Sequence, residues 1–456
     1  MISLTILSVI LFFMAVKSWQ KLKSRGKLSL TEKDDKVQHL QSLAAHHEIA
    51  ASLVTLINRD GAGQWPPRSS YTSWPEALQP YRRILREVLP SLAAAVPSLD
   101  DVANTERREK FRQSMENLLR SNVHLPSVIE ILDEIEEDKW KHLSREALNG
   151  FFCCISLSRH AHRWAVTPVV KVAQLEEEVN LPPELHLPWS YLQRYFGFAA
   201  DSGNHTSNVL LNFDENGTRM FYFNSTLPAS IQSTEESFFR LLVDIETMGF
   251  DMFYEMVLAT ISFQEGRNDS CLESLKKIDV LLSQSLTLFH ARMRETQISR
   301  LLWLSYVQGF HGWGVGRQIK DSFVRFNGVS GNHIVLFQVL DAFLGLDRYL
   351  PDEDMELYIP LHQRLLCETV KKYSIRQQLG DDDAELIQQF EKIVKRLRQY
   401  RAAHRSRVIP YLKQPAPERY HMTAGKSVLT TDLHISIDEA IAPLDRMLVA
   451  RSIATI

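Results

Sequence analysis

Apolar residues at spacings of three and four recur along almost the whole chain, whereas alternating apolar runs are scarce, so the pattern predicts an all-α fold. Such stripes cover 39–58, 79–97, 105–119, 145–164, 235–263, 271–309 and 333–346. Only 208–222 has strand character, and it reads as a hairpin turning around Glu215, Asn216 and Gly217. Clusters of Pro, Gly and Ser at 61–75 and 224–235 predict loops, the second of them between two domains. The expected division is an N-terminal segment 1–27, a small helical domain 28–230 and a large helical domain 231–456. With 456 residues and 45% hydrophobic content, the chain can bury a large core in two domains.

The best-defined helix spans Asp381–Leu412. Leu386, Phe390, Ile393, Leu397 and Val408 form one face, and His404 falls on that stripe. Asp381, Asp382 and Asp383 suit the positive end of the helix dipole, and Pro410 is expected to limit continuation at the other end. Lys395, Arg396, Arg398, Arg401, Arg405 and Arg407 surround His404, and like charges disfavour the imidazolium. A neutral imidazole facing the interior, with Arg401 one turn away, has the chemistry of an iron or haem ligand beside an anion-holding cation. Taken by itself, the helix is also readable as a basic amphipathic helix with a core or boundary histidine.

Other segments bear on the choice. The helix carries RxxHxxxVxxYL from Arg401 to Leu412, and FNGVSGNHIVLFQVLDAFLGL runs from Phe326 to Leu346. YIPLHQRLLCETV follows from Tyr358, SFFRLLVDIE starts at Ser237, YVQGFHGWG at Tyr306, LPPELHLPW at Leu181 and VLLNF at Val209. Together, and occurring along the chain in the family's order over roughly 140–445, these segments resemble the indoleamine 2,3-dioxygenase family. The resemblance implies a two-domain helical haem dioxygenase-like fold. It also implies haem b iron as cofactor, and O2 and an indole-type small molecule as partners. The implied reaction adds both oxygen atoms across the indole 2,3 bond of tryptophan or a derivative, giving an N-formylkynurenine-type product.

By the same resemblance, His404 is the iron ligand, Arg401 meets a haem propionate, and Asp341 supports Arg401, since an unpaired buried guanidinium costs several kcal/mol. Ser330 and Gly331 lie in a small-residue loop able to pass over the haem; the plain alternative is a helix-entry loop capped by Ser330. No catalytic residue is assigned beyond the haem. The substrate side departs from the family. The positions of its two phenylalanines and its carboxylate-binding arginine hold Ser299, Arg300 and Leu304, with Arg300 one turn from Leu304 and either substrate-facing or solvent-facing. Glu236 and Arg240 fall at two distal-pocket positions, and His205 replaces a tyrosine near the pocket. The glycine- and threonine-rich loop corresponds to Lys426–Asp432, where bulkier residues should reshape the pocket.

Net charge is −3, which implies no general affinity for nucleic acid. Cys153, Cys154, Cys271 and Cys367 have no zinc-ligand spacing and read as reduced packing thiols. His160 and His162, flanked by Arg159 and Arg163, read as a solvated basic turn, and His311 as a loop histidine near a pocket. Ile2–Val16 is largely apolar and precedes Lys17, Lys21, Lys23, Arg25 and Lys27, so it is expected to be a membrane anchor with a cytosolic catalytic domain. A cleaved signal peptide is the alternative, and the glycosylation triplets at Asn204, Asn216, Asn224 and Asn268 would need the opposite topology. The competing functions are a haem-binding protein of the same fold with a different substrate, and a non-catalytic helical scaffold on a membrane.

Overall fold

The computed structural model describes residues 30–92, 99–319, 321–348 and 350–420, with isolated positions beyond 441. The expected anchor at 1–27 and the loop 426–432 lie outside the described residues. Among the described residues, no helix is long and apolar enough to cross a membrane.

The principal helices are α1 (Leu30–Ala44), α2 (Glu48–Arg59), α3 (Gln79–Leu92), α4 (Asp101–Asn122), α5 (Leu125–Glu136), α6 (Arg145–Trp164), α7 (Pro183–Phe196), α8 (Ala229–Gln264), α9 (Asn268–Arg292), α10 (Val335–Phe343), α11 (Asp352–Tyr358), α12 (Leu361–Lys372) and α13 (Ala384–Leu412). Helices α8 and α9 pack along each other, and α9 in turn packs against α13. Their connection turns at Gly266, whose φ of +73° suits glycine, and Arg267 N–H closes it onto the Ser262 carbonyl at 2.8 Å. One apolar core runs from Val37 to Ala416, and a smaller cluster gathers Trp313, Phe326, Tyr358 and Ile359.

Helix α13 runs to Leu412, the end expected from the sequence. Pro410 sits in its last turn, where the missing N–H removes one bond and little helix remains to kink. Two local expectations need correction. The hairpin at 208–222 reduces to one bridge, Phe213 to Arg219, after two short helical turns, His205–Asn208 and Leu210–Asn212. The Asn212 side chain takes over the ladder, accepting from Phe221 N–H and donating to the Phe221 carbonyl, both at 2.9 Å. True strands pair instead at β1 (Gly316–Ile319) and β2 (Ser322–Arg325), antiparallel and too short for alternation to reveal them.

The second correction concerns α6, which is buried from Ala147 to Trp164 and carries the expected surface histidines inward. His160 and His162 are 0% and 1% exposed. The His160 nitrogens lie 2.8 Å from the Phe310 carbonyl and 2.7 Å from the Ser202 carbonyl, while Arg159 bonds Asp201 at 2.9 Å. Arg163 and Arg112 both bond Glu176, at 3.0 and 2.8 Å. Basic residues at helical spacing look solvated in a sequence, but here carboxylates and carbonyls remote in sequence pair with them, as burial of charge requires. All four cysteines are buried and free.

Candidate active site

An apolar cavity lies between α8, α10 and α13, and His404, Arg401, Asp341, Ser330, Gly331 and His205 all reach its wall. His404 projects from α13 beside Phe289, ring centroids 5.8 Å apart. It is half-buried on the cavity wall, and desolvation pulls its imidazole down to about 4. The ring is therefore neutral at pH 7, with a lone pair available to a metal. The cause differs from the sequence expectation: desolvation, not repulsion by neighbouring arginines, keeps the proton off.

One turn earlier on α13, Arg401 Nη2 donates to Asp341 Oδ1 at 2.5 Å. Asp341 comes from α10 and is 3% exposed. The pair thus clamps α10 to α13 while placing a guanidinium at the cavity rim. Ser330 accepts from Asn332 N–H and starts the turn Gly331–His333, so the capping alternative describes its local role. It nevertheless faces the cavity, and a Cβ added at Gly331 would meet nothing within 4 Å.

The opposite wall departs from expectation. Arg300 does not line the cavity; its Nε lies 3.1 Å from Glu295 Oε2 and its side chain is 42% exposed. Leu304 is buried but away from the cavity, with its carbonyl accepting from Arg419 Nη2 at 2.8 Å. Glu236 and Arg240 pair with each other at 2.6 Å, leaving Phe238, Phe239 and Leu242 of α8 to line the space. A π-helical turn, Trp303–Gln308, explains the mismatch. Bonds from i to i+5 bring residues five apart onto one face, so Trp303 and Gln308 both reach the cavity, which α-helical spacing does not predict.

Two histidines complete this wall. His205 begins the short helix 205–208, which Asn204 caps by accepting from Ser207 N–H at 2.9 Å. His311 follows the π turn, between Phe239 and Phe223 at centroid distances of 4.9 and 5.2 Å. They are 2% and 6% exposed, and neither nitrogen of either ring has a hydrogen-bond partner among the described residues. Burial depresses both, His205 to about 3, with His333 adding to it; His160, Arg219 and His205 add to the effect at His311. Behind them stands a pair absent from the sequence reading: Arg219 donates to Glu235 at 2.6 Å with both side chains 0% exposed. Glu235 also accepts from Phe223 N–H, Asn224 N–H and Asn224 Nδ2 at 2.9, 3.1 and 2.8 Å. Asn204 and Asn224, in two of the glycosylation triplets, are buried.

The residues fit a haem. The cavity offers such a group one neutral nitrogen, an apolar lining and a paired cation at the rim. A search of curated proteins finds no match. The family model described as indoleamine 2,3-dioxygenase, in contrast, matches residues 71–440, a span that contains every element of the cavity. By that match the chain belongs to the indoleamine 2,3-dioxygenase family.

Proposed function

We propose that the protein is a haem-dependent dioxygenase acting on an indole, with His404 as the iron ligand. The observation that carries this reading is a neutral His404 on the cavity wall, one turn from an arginine already locked by Asp341. Ferrous haem, when bound, supplies the centre at which O2 is activated for insertion into the indole 2,3 bond. The chain's own residues do the rest. His404 presents its lone pair because its surroundings exclude the charged ring. Arg401, fixed by Asp341, holds a propionate without needing to reorganise. Ser330 and Gly331 are small residues on the cavity wall that would leave room for the group. Phe238, Phe239, Leu242 and Ile245 exclude water and give a flat ring its apolar contact.

The test is the absorption spectrum of the full chain expressed with haem supply, beside His404→Ala, with product analysis on indoles. A Soret band in the parent protein, altered in the variant, and an N-formylkynurenine-type product are the expected results. An identical spectrum in the variant refutes the ligand assignment. A haem-loaded protein inert towards every indole refutes the reaction. Displacement of Arg300 and Leu304 from the cavity favours one narrower alternative, the same cofactor with a substrate other than tryptophan.

A further inference from the structure

The substrate-facing wall is uncharged, yet it carries unpartnered polar atoms. Among the described residues lining the cavity, the only charged side chains are Asp341 and Arg401, bonded to each other beside His404. Cations elsewhere around this wall lie outside the lining and have other partners: Arg219 pairs with Glu235, Arg240 with Glu236 and Arg300 with Glu295. Arg419 bonds the Leu304 carbonyl and Gln308 Oε1 at 2.8 and 2.9 Å, and in both Arg219 and Arg419 the Nε and Nη1 atoms have no hydrogen-bond partner among the described residues. Against this, His205 and His311 leave four ring nitrogens without partners, and Trp303 Nε1 is a fifth such atom on the same cavity.

Buried polar atoms without partners cost about 1–3 kcal/mol each, so five around one cavity point to a ligand that satisfies them. A neutral imidazole has one N–H donor and one acceptor lone pair. Two rings and one indole N–H therefore offer three donors and two acceptors, a set for a molecule that both donates and accepts. A carboxylate only accepts, and it would bring an uncompensated charge among Phe238, Phe239 and Leu242. Recruiting a ring as its counter-ion means protonating an imidazole whose burial resists this, with the Arg219 guanidinium opposing it further at His311.

We propose that the substrate is an uncharged indole without a free carboxylate, and that His205 and His311 read its ring N–H and the polar group of its side chain. This rests on the cavity being the indole site of the haem dioxygenase proposed above.

The experiment is calorimetric titration of the haem-loaded full chain with indole-3-acetamide, indole-3-acetate, tryptamine and tryptophan, which share a ring and differ in charge. The amide is expected to bind at least tenfold more tightly than the acetate, and more tightly than tryptamine or tryptophan. His205→Phe and His311→Phe should each weaken the amide several-fold while the Soret band persists. Their melting temperatures should hold or rise, because each removes unsatisfied nitrogens, an outcome that a purely structural histidine would not give. Acetate or tryptophan binding as tightly as the amide overturns the proposal. Unchanged amide affinity in both variants also overturns it, as does a six-coordinate low-spin spectrum that His311→Phe or His205→Phe abolishes, since the ring would then serve the iron. Absence of a Soret band in the parent protein is a separate failure, that of the haem reading.

Discussion

Arg401 on α13 is bonded to Asp341 on α10 at 2.5 Å, one helical turn before His404. The bond ties the candidate ligand helix to the helix that faces it. Asp341→Asn should cost about 1.5–3 kcal/mol, the range for a hydrogen bond to a charged group, because Arg401 keeps its charge and loses its anion. Urea denaturation at unchanged m-value measures this, and haem loss to an acceptor globin should quicken in the same variant. A shift below about 0.5 kcal/mol, the ordinary surface effect, would show the pair to be inert.

Glu235 gathers Arg219, two backbone N–H groups and the Asn224 amide in a region without solvent. Glu235→Ala is expected to lose about 3–5 kcal/mol, since it strands a buried guanidinium. Glu235→Gln keeps an acceptor and should lose less. Equal stability of the alanine variant and the parent in chemical denaturation would contradict the role given to this pair.

Acid should destabilise the haem-free protein early. His404 and His160 are depressed from 6.5 to about 4, and His205 and His333 to about 3, all chiefly by burial. Between these values and 6.5 the unfolded chain binds more protons than the native one. Stability from these rings is therefore full above pH 6.5 and is lost as pH falls towards 4 and then 3. Melting temperatures at pH 7.5, 6.5 and 5.5 should decline in that order, with a shallower decline in His404→Phe. A flat profile would refute the buried neutral state.

Glu246 acts in the opposite sense. It is buried and pushed up to about 7, with Trp65 Nε1 donating to it at 2.8 Å. The native state holds this proton more tightly than the unfolded state, so the associated stability is full below about 4.5 and is lost as pH rises through about 7. Glu246→Gln removes that loss while keeping an acceptor for Trp65. Its denaturation midpoint should exceed the parent's at pH 8 and match it near pH 5; the reverse order would sink the assignment.

The haem side of the cavity was legible because it is written in one helix and one short segment. His404 and Arg401 share an α-helical face, and Asp341 stands within a recognisable run, so helical spacing together with the family resemblance singles them out. The opposite wall obeys no such rule. Matching the segment to the family's substrate helix selects Arg300 and Leu304, whereas Trp303, Gln308 and His311 are the residues that reach the space, and the π turn Trp303–Gln308 lies between the two sets. Phe238 and Phe239, next to the expected Glu236 and Arg240, show the same sensitivity to phase on α8. Burial of His160 and His162 was hidden for another reason. Their partners, Phe310, Ser202 and Glu116, are remote in sequence, and tertiary satisfaction of polar groups leaves no periodic trace.

The cavity wall is assembled from α8, α9, α10, α13, the turn at His205 and the π turn, so no contiguous stretch of the chain encloses it. Its existence is a property of the folded span from His205 to Leu412, and anything that binds there recognises only molecules in which that span has come together. At a free concentration 100 times its dissociation constant, a ligand confined to the native state adds about 2.7 kcal/mol of stability. Occupancy would then govern how long each molecule survives proteolytic surveillance, making abundance of the protein a readout of ligand supply.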